Sequence, residues 1–251
     1  MPNIVGSGTR HAIGVRYEVT PRSEGWELFE GTVPESVMHD EAVDLLRDIL
    51  EAWASRIGGT QVARNLAIRW DQTHPKVGID PDVAVLRPPP PRGDDNDLKS
   101  LRTWLPGHEP PVLAIEVVSE SHPYKDYVIA PDKYAASGTR ELWVFDPKLV
   151  GPLSHGGPFP LQIWQRDESF ALHRTYAGSG PARSGVLDAF AVVVEDGQKL
   201  RIADKIDGSS LWLTPVEAER AAKEAALAAT EAAYARVAEL EAKLAAERER
   251  R

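Results

Sequence analysis

One succession constrains the fold more than any other feature of this sequence. It runs from "PVLAIEVVS" (residues 111–119) through "APDKYAASG" (130–138) to "ELWVFDP" (141–147). The two outer runs are short and rich in β-branched and aromatic residues, and the first is almost unbroken in its apolar character, which marks a strand covered on both faces. The middle segment carries Pro131 near its first position and Gly138 at its end, the asymmetry of a short helix. Strand, helix, strand in this order closes as a right-handed crossover. The chain therefore belongs to the α/β class, with layers on both sides of its sheet.

Other segments add to that unit. Val37, Ala42, Val43, Leu45, Leu46, Ile49, Leu50 and Trp53 fall at helical spacing, with Ser36 placed to cap the start and Gly58-Gly59 to end it, so an amphipathic helix is predicted there. "GWELFEGTV" around Gly31 reads as a strand or hairpin, and "NLAIRW" and "DPDVAVL" read as two short strands. "LQIWQR" and "FALHRTY" supply further strands, and "AFAVVVEDGQKLRIAD" is a hairpin turning at Asp196-Gly197. Between "DPDVAVL" and "PVLAIEVVS" lies "RPPPPRGDDNDLKSLRTWLPGHEPP", whose prolines and turn residues predict a mobile loop and exclude a strand. From Thr214 the chain turns alanine-rich and charged, with Thr214, Pro215 and Glu217 forming a capping box before a long helix. Its heptad seam, Thr230, Val237 and Leu244 with Ala226, Ala233 and Leu240, is weak, so a coiled coil is left open. The expected division is a main domain over 1–205 and a helical extension over 206–251.

With 251 residues the chain can bury a full core, and the absence of cysteine excludes disulfides and thiolate chemistry. The N-terminal stretch has no apolar core of a signal peptide and no run reaches membrane-spanning length, so a soluble, cytoplasmic protein is expected. A net charge of -9 argues against a protein that coats nucleic acid, yet leaves room for one that meets a phosphate backbone at a single site.

The acids on the strands carry the chemistry. Glu116 stands inside an apolar run, where an ionised carboxylate loses hydration at a cost of several kcal/mol unless a partner compensates. Three partners are open: a basic side chain, backbone donors, or a hard cation shared with another acid. Asp82 begins its own strand, and if the two strands are neighbours the carboxylates converge. Two such groups repel unless a proton or cation lies between them, and magnesium suits one or two carboxylates while leaving positions for water and phosphate oxygens.

The order of parts, with "WELFEGTV", "SVMH", "DPDVAVL", "LAIEVVSESHPYKDY" and "DKYAASGTRELWVFDP" in succession, resembles the Uma-type family of restriction-endonuclease-like proteins in the PD-(D/E)XK nuclease superfamily. The likeness continues through "SGVLDAFAV" to "LTPVEAERA". It implies a restriction-endonuclease-like core, a mixed central sheet flanked by helices, with extra β-hairpins and a long C-terminal helix. It also implies a magnesium- or manganese-dependent endonuclease acting on DNA, with Asp82, Glu116 and the backbone carbonyl of Val117 as metal ligands. The superfamily lysine expected two residues after Glu116 is replaced by Val118. The resemblance then points to the following helix, with Lys133 first and Lys125 second as the lysine that orients water or steadies charge.

His39 at the head of the first helix, Glu41 in the same turn, Asp80 before its strand and Asp126 beside Lys125 complete the candidates. Each also reads as a capping, solvated or turn residue. His74, His108, His122, His155 and His173 have no spacing that builds a zinc site. The competing reading is a nuclease-like scaffold without catalysis, serving binding or self-association as a homodimer through the tail.

Overall fold

A computed structural model describes residues 25–28, 36–91, 98–155 and 157–250. The chain divides into two compact units, Met1–Trp212 and Leu213–Arg251.

Helix α1 spans Val37–Ile57. Its start and stop follow the capping chemistry: the Ser36 side chain accepts the His39 N–H at 3.3 Å, and Gly58, at φ 68°, returns its N–H to the Ala54 carbonyl. Its apolar face, led by Val43, Leu46, Ile49 and Leu50, is almost wholly removed from water.

The central sheet has the order β1 (Gln61–Ala63), β3 (Val83–Leu86), β5 (Leu113–Val117), β6 (Glu141–Phe145), β7 (Leu161–Arg166), β8 (Leu172–Gly178). Only β5 and β6 pair in parallel, and the other neighbours are antiparallel, so the sheet is mixed. The parallel pair is the crossover expected from the sequence, closed by helix α2 (Ala130–Ser137), with Pro131 in its first turn and Gly138 left-handed at φ 86°.

Both sheet faces are covered. Leu113, Ile115 and Val117 of β5 pack with α1 and with a three-stranded sheet of β9 (Ala182–Ser184), β10 (Ala189–Val194) and β11 (Lys199–Ala203). Ala114 and Val118 join the opposite layer with Tyr134 of α2 and with Ile68 and Leu101. The period of two sends alternate side chains to opposite layers, and Glu116 shares the parity of Ala114 and Val118.

The β10–β11 hairpin turns at Glu195–Gly197, where Asp196 and Gly197 take positive φ. Three short strands escape the sequence reading: β1, β9 and β4 (Ser100–Arg102). The last corrects the expectation that the proline-rich connection holds no strand. Residues 100–102 pair in parallel with β2 (Ala67–Arg69) and bury Leu101 completely, so tertiary pairing overrides a turn-rich composition. The strand expected around Gly31 lies mostly outside the described residues; within them Glu27 bridges Val77.

In the second unit α3 spans Pro215–Glu249, with the Thr214–Glu217 capping box formed as expected and no residue of the helix buried. Among the described residues no helix is long and apolar enough to cross a membrane.

Candidate active site

The strand register places the two acids. β3 and β5 are antiparallel neighbours with Val83 opposite Ile115 and Ala84 opposite Ala114. One further step in that register sets Asp82 opposite Glu116. The Val117 N–H donates to Asp82 Oδ2 at 2.7 Å, fixing the Asp82 carboxylate at the strand end. From α1, His39 Nε2 reaches the same oxygen at 3.2 Å. Capping accounts for that approach, since Ser36 holds the first turn of α1 with buried His39 directed at the end of β3.

Glu116 is buried to 1 % exposure, and its Oε1 accepts the Tyr134 hydroxyl at 2.5 Å. Burial drives its carboxyl well above the ordinary glutamate range; Lys125 opposes this, while Asp82 and Asp126 add to it. Tyr134, equally buried, is pushed upward by desolvation and then by the Glu116 charge.

The segment before α2 brings two more groups in. Residues Lys125–Ile129 form a π-helical turn, a local irregularity frequent at functional sites. It sets Lys125 Nζ 4.0 Å from Glu116 Oε2 and 3.4 Å from Asp126 Oδ1. Asp126 is buried, its Oδ1 accepts no hydrogen bond, and desolvation pushes its carboxyl up to about 7. Lys125 is held more firmly protonated, chiefly by Glu116.

Beside these residues lies a cleft of about 720 Å³ lined by His39, Asp80, Asp82, Val117, Lys125, Asp126 and Lys133 among others, with buried Glu116 and Tyr134 not part of its lining. Glu41 is not among them. It lies two residues past His39, more than half a turn around α1, and is exposed. Asp80 sits exposed on the cleft wall. Lys133 lines the same cleft, but its ammonium donates to the carbonyls of Trp26 at 3.3 Å and Gly78 at 3.0 Å, and burial lowers its pKa. Of the two lysines, Lys125 is the one beside the carboxylates. Val118 is buried in the apolar layer.

Tyr134 escaped the sequence reading. Its neighbour Lys133 drew attention as a charge, yet on an eight-residue helix the aromatic residue is the one turned onto the sheet. The signal was present in the helical period. Ser119 and His122, also on the cleft wall, carried no such signal.

The donor set suits a hard cation. Asp82, Glu116 and Asp126 offer carboxylate oxygens, one of them buried and met only by the Lys125 ammonium, in a place where their mutual repulsion is only partly offset by Lys125. Among the described residues no group of three or more His, Asp or Glu side chains is placed to hold a metal ion. Magnesium does not need one, since it keeps several waters and takes one or two carboxylates.

A family model described as "Uma2: Putative restriction endonuclease" matches residues 15–150. Among solved structures, the chain is similar to a nuclease, described as putative, from Anabaena variabilis, with 12 % identity and a TM-score of 0.44 over 64 % of this chain and 82 % of that one. No curated protein sequence matches the chain.

Proposed function

Since the chain belongs to the Uma2 family of restriction-endonuclease-like proteins, we propose that it is a nuclease that hydrolyses DNA phosphodiester bonds with magnesium or manganese. The observation that carries this reading is the juxtaposition of Asp82 and buried Glu116 across β3 and β5, beside a cleft lined by Asp82, Asp126 and Lys125.

In this reading Asp82, Glu116 and the carbonyl of Val117 hold the cation, with Asp126 as a further acid beside it. When bound, the cation supplies charge neutralisation at the phosphate oxygens and a water of lowered pKa. The chain's own groups do the rest. His39 and the Val117 amide keep the Asp82 carboxylate oriented, and Tyr134 does the same for Glu116. Lys125 stands where it can orient the attacking water and steady negative charge as the water oxygen bonds to phosphorus and the phosphorus–oxygen ester bond breaks. The attacking water gives its proton to solvent water, and the leaving oxygen takes one up from solvent water. Lys133 holds the wall of the cleft through two carbonyls. The tail from Pro215 is read as a helical extension of the nuclease domain.

A scaffold without catalysis is favoured by one observation, buried apolar Val118 at the position where the superfamily has its lysine. The test is cleavage of plasmid, single-stranded and branched DNA in manganese by wild type, Asp82→Ala and Glu116→Ala. Cleavage abolished in both variants supports the nuclease. A wild type that binds metal, seen as a thermal shift, but cuts none of these substrates would move the assignment to the binding scaffold.

A further inference from the structure

A second concavity, of about 460 Å³, has the opposite charge. Arg69, Lys76, Lys99 and Arg102 line it together with Trp104. It is formed where β2 and β4 pair, because parallel register sets Arg69 opposite Arg102. Two like charges directly opposite on neighbouring strands are unfavourable. Their placement calls for an anion.

Among the described residues, three of the groove's four basic groups, Arg69, Lys76 and Arg102, form no ion pair with a carboxylate. Elsewhere basic groups are commonly paired: Arg47 with Asp44 and Asp48, Arg64 with Asp40 and Asp44, Arg183 with Asp188 and Lys199 with Glu195. Arg69 donates instead to the Pro75 carbonyl and Arg102 to Ser100 Oγ at 3.2 Å, contacts that hold the guanidinium groups in place without cancelling their charge. In a chain of net charge -9, this is a local reversal of sign.

We propose that this groove binds the sugar–phosphate backbone of a single nucleic-acid strand, close to the acidic cleft. The identity of the polyanion rests on the nuclease reading. Cations beside an exposed aromatic flank form the usual single-strand site, where phosphates meet Lys and Arg and a base stacks on the ring. Half-buried Trp104 supplies that ring. The two concavities share one segment. Pro75 and Lys76 border the groove, while Ile79, Asp80 and Asp82 border the cleft. Six residues separate Lys76 from Asp82, at most about 20 Å of extended chain. A stacked strand rising about 3.4 Å per nucleotide covers that span in about six phosphates. Gly78 keeps the segment tight against β2, since a Cβ there would lie 2.7 Å from the Ile68 carbonyl oxygen.

The experiment is fluorescence anisotropy with labelled single-stranded oligonucleotides of two unrelated sequences, using the full chain in EDTA so that nothing is cut. Lys76 and Arg102 are exposed, so the double variant Lys76→Ala/Arg102→Ala is expected to keep the wild-type melting temperature; Lys76→Glu is the second variant should it not. Binding should weaken about tenfold for both sequences, with the slope of log affinity against log salt shallower by about 1.4, two contacts at about 0.7 each. Trp104→Ala should also weaken it, whereas Asp82→Ala should not. Wild-type affinity in the double variant overturns the groove, and so does equal wild-type affinity for a polyglutamate of matching charge. If the double variant binds normally while wild type still cleaves DNA, the groove fails and the nuclease reading stands. If wild type neither binds nor cleaves, both fail.

Discussion

Replacing Asp126 with asparagine should make the protein more stable at alkaline pH and barely change it in acid. In the unfolded chain this carboxyl titrates near its ordinary value of 3.8, and in the fold burial pushes it up to about 7. Between those values the folded state holds a proton that the unfolded state has lost, so stability falls as pH rises. The contribution is fully present below about pH 4 and is gone once pH has passed through about 7. At about 1.4 kcal/mol for each tenfold change in proton affinity, the whole effect is about 4 kcal/mol, of which about 3 kcal/mol is lost between pH 5 and pH 8. Asparagine keeps the shape and cannot ionise. Urea denaturation in EDTA at pH 5, 6, 7 and 8 should therefore show the gap between Asp126→Asn and wild type widening by about 3 kcal/mol from the first pH to the last. Magnesium in place of EDTA should narrow it at pH 8, because a cation compensates the ionised carboxylate. A gap of constant size across this range would refute the assignment of Asp126 as a carboxylate strained by burial.

Lys125→Ala should slow cleavage by about a hundredfold or more while keeping a metal-induced thermal shift; Lys133→Ala should leave the rate closer to wild type and instead increase proteolysis near Gly78, whose carbonyl it holds. Leu46→Ala removes a fully buried side chain of α1 and should cost about 2–5 kcal/mol in denaturant unfolding without changing metal affinity once folded. Deleting residues 213–251 should lower the mass seen by light scattering if α3 pairs subunits, and an unchanged mass rules that role out.

The first helix shows why some features could be read in advance. Its apolar period, Ser36 and Gly58 are local signals, and each acts within a turn of where it stands, so the helix formed where the sequence placed it. The same holds for α2, the β10–β11 turn and the capping box of α3. The crossover was also legible, because two runs buried on both faces with a short helix between them have essentially one way to close. The acids Asp82 and Glu116 stood out for the converse reason, as charges in places where water is excluded.

Register, helical phase and unforeseen pairing belong to tertiary structure alone. Which residue of β3 faces Glu116 depends on hydrogen bonds between segments some thirty residues apart, and only the fold sets Asp82 there. The π-helical turn rotates Lys125 and Asp126 into the cleft, a phase change with no compositional mark, and it puts Lys125 beside the carboxylates while Lys133 meets backbone carbonyls. Strand β4 arises in a segment whose composition argues for a loop, because pairing with β2 and the burial of Leu101 outweigh weak local preference. The sequence by itself thus determined the α/β class, the crossover and the pair of strand acids, since these follow from local patterns and the cost of burying charge. The tertiary structure decided which lysine stands with those acids, and that Arg69 and Arg102 meet in a basic groove, since both depend on contacts between residues far apart in the chain.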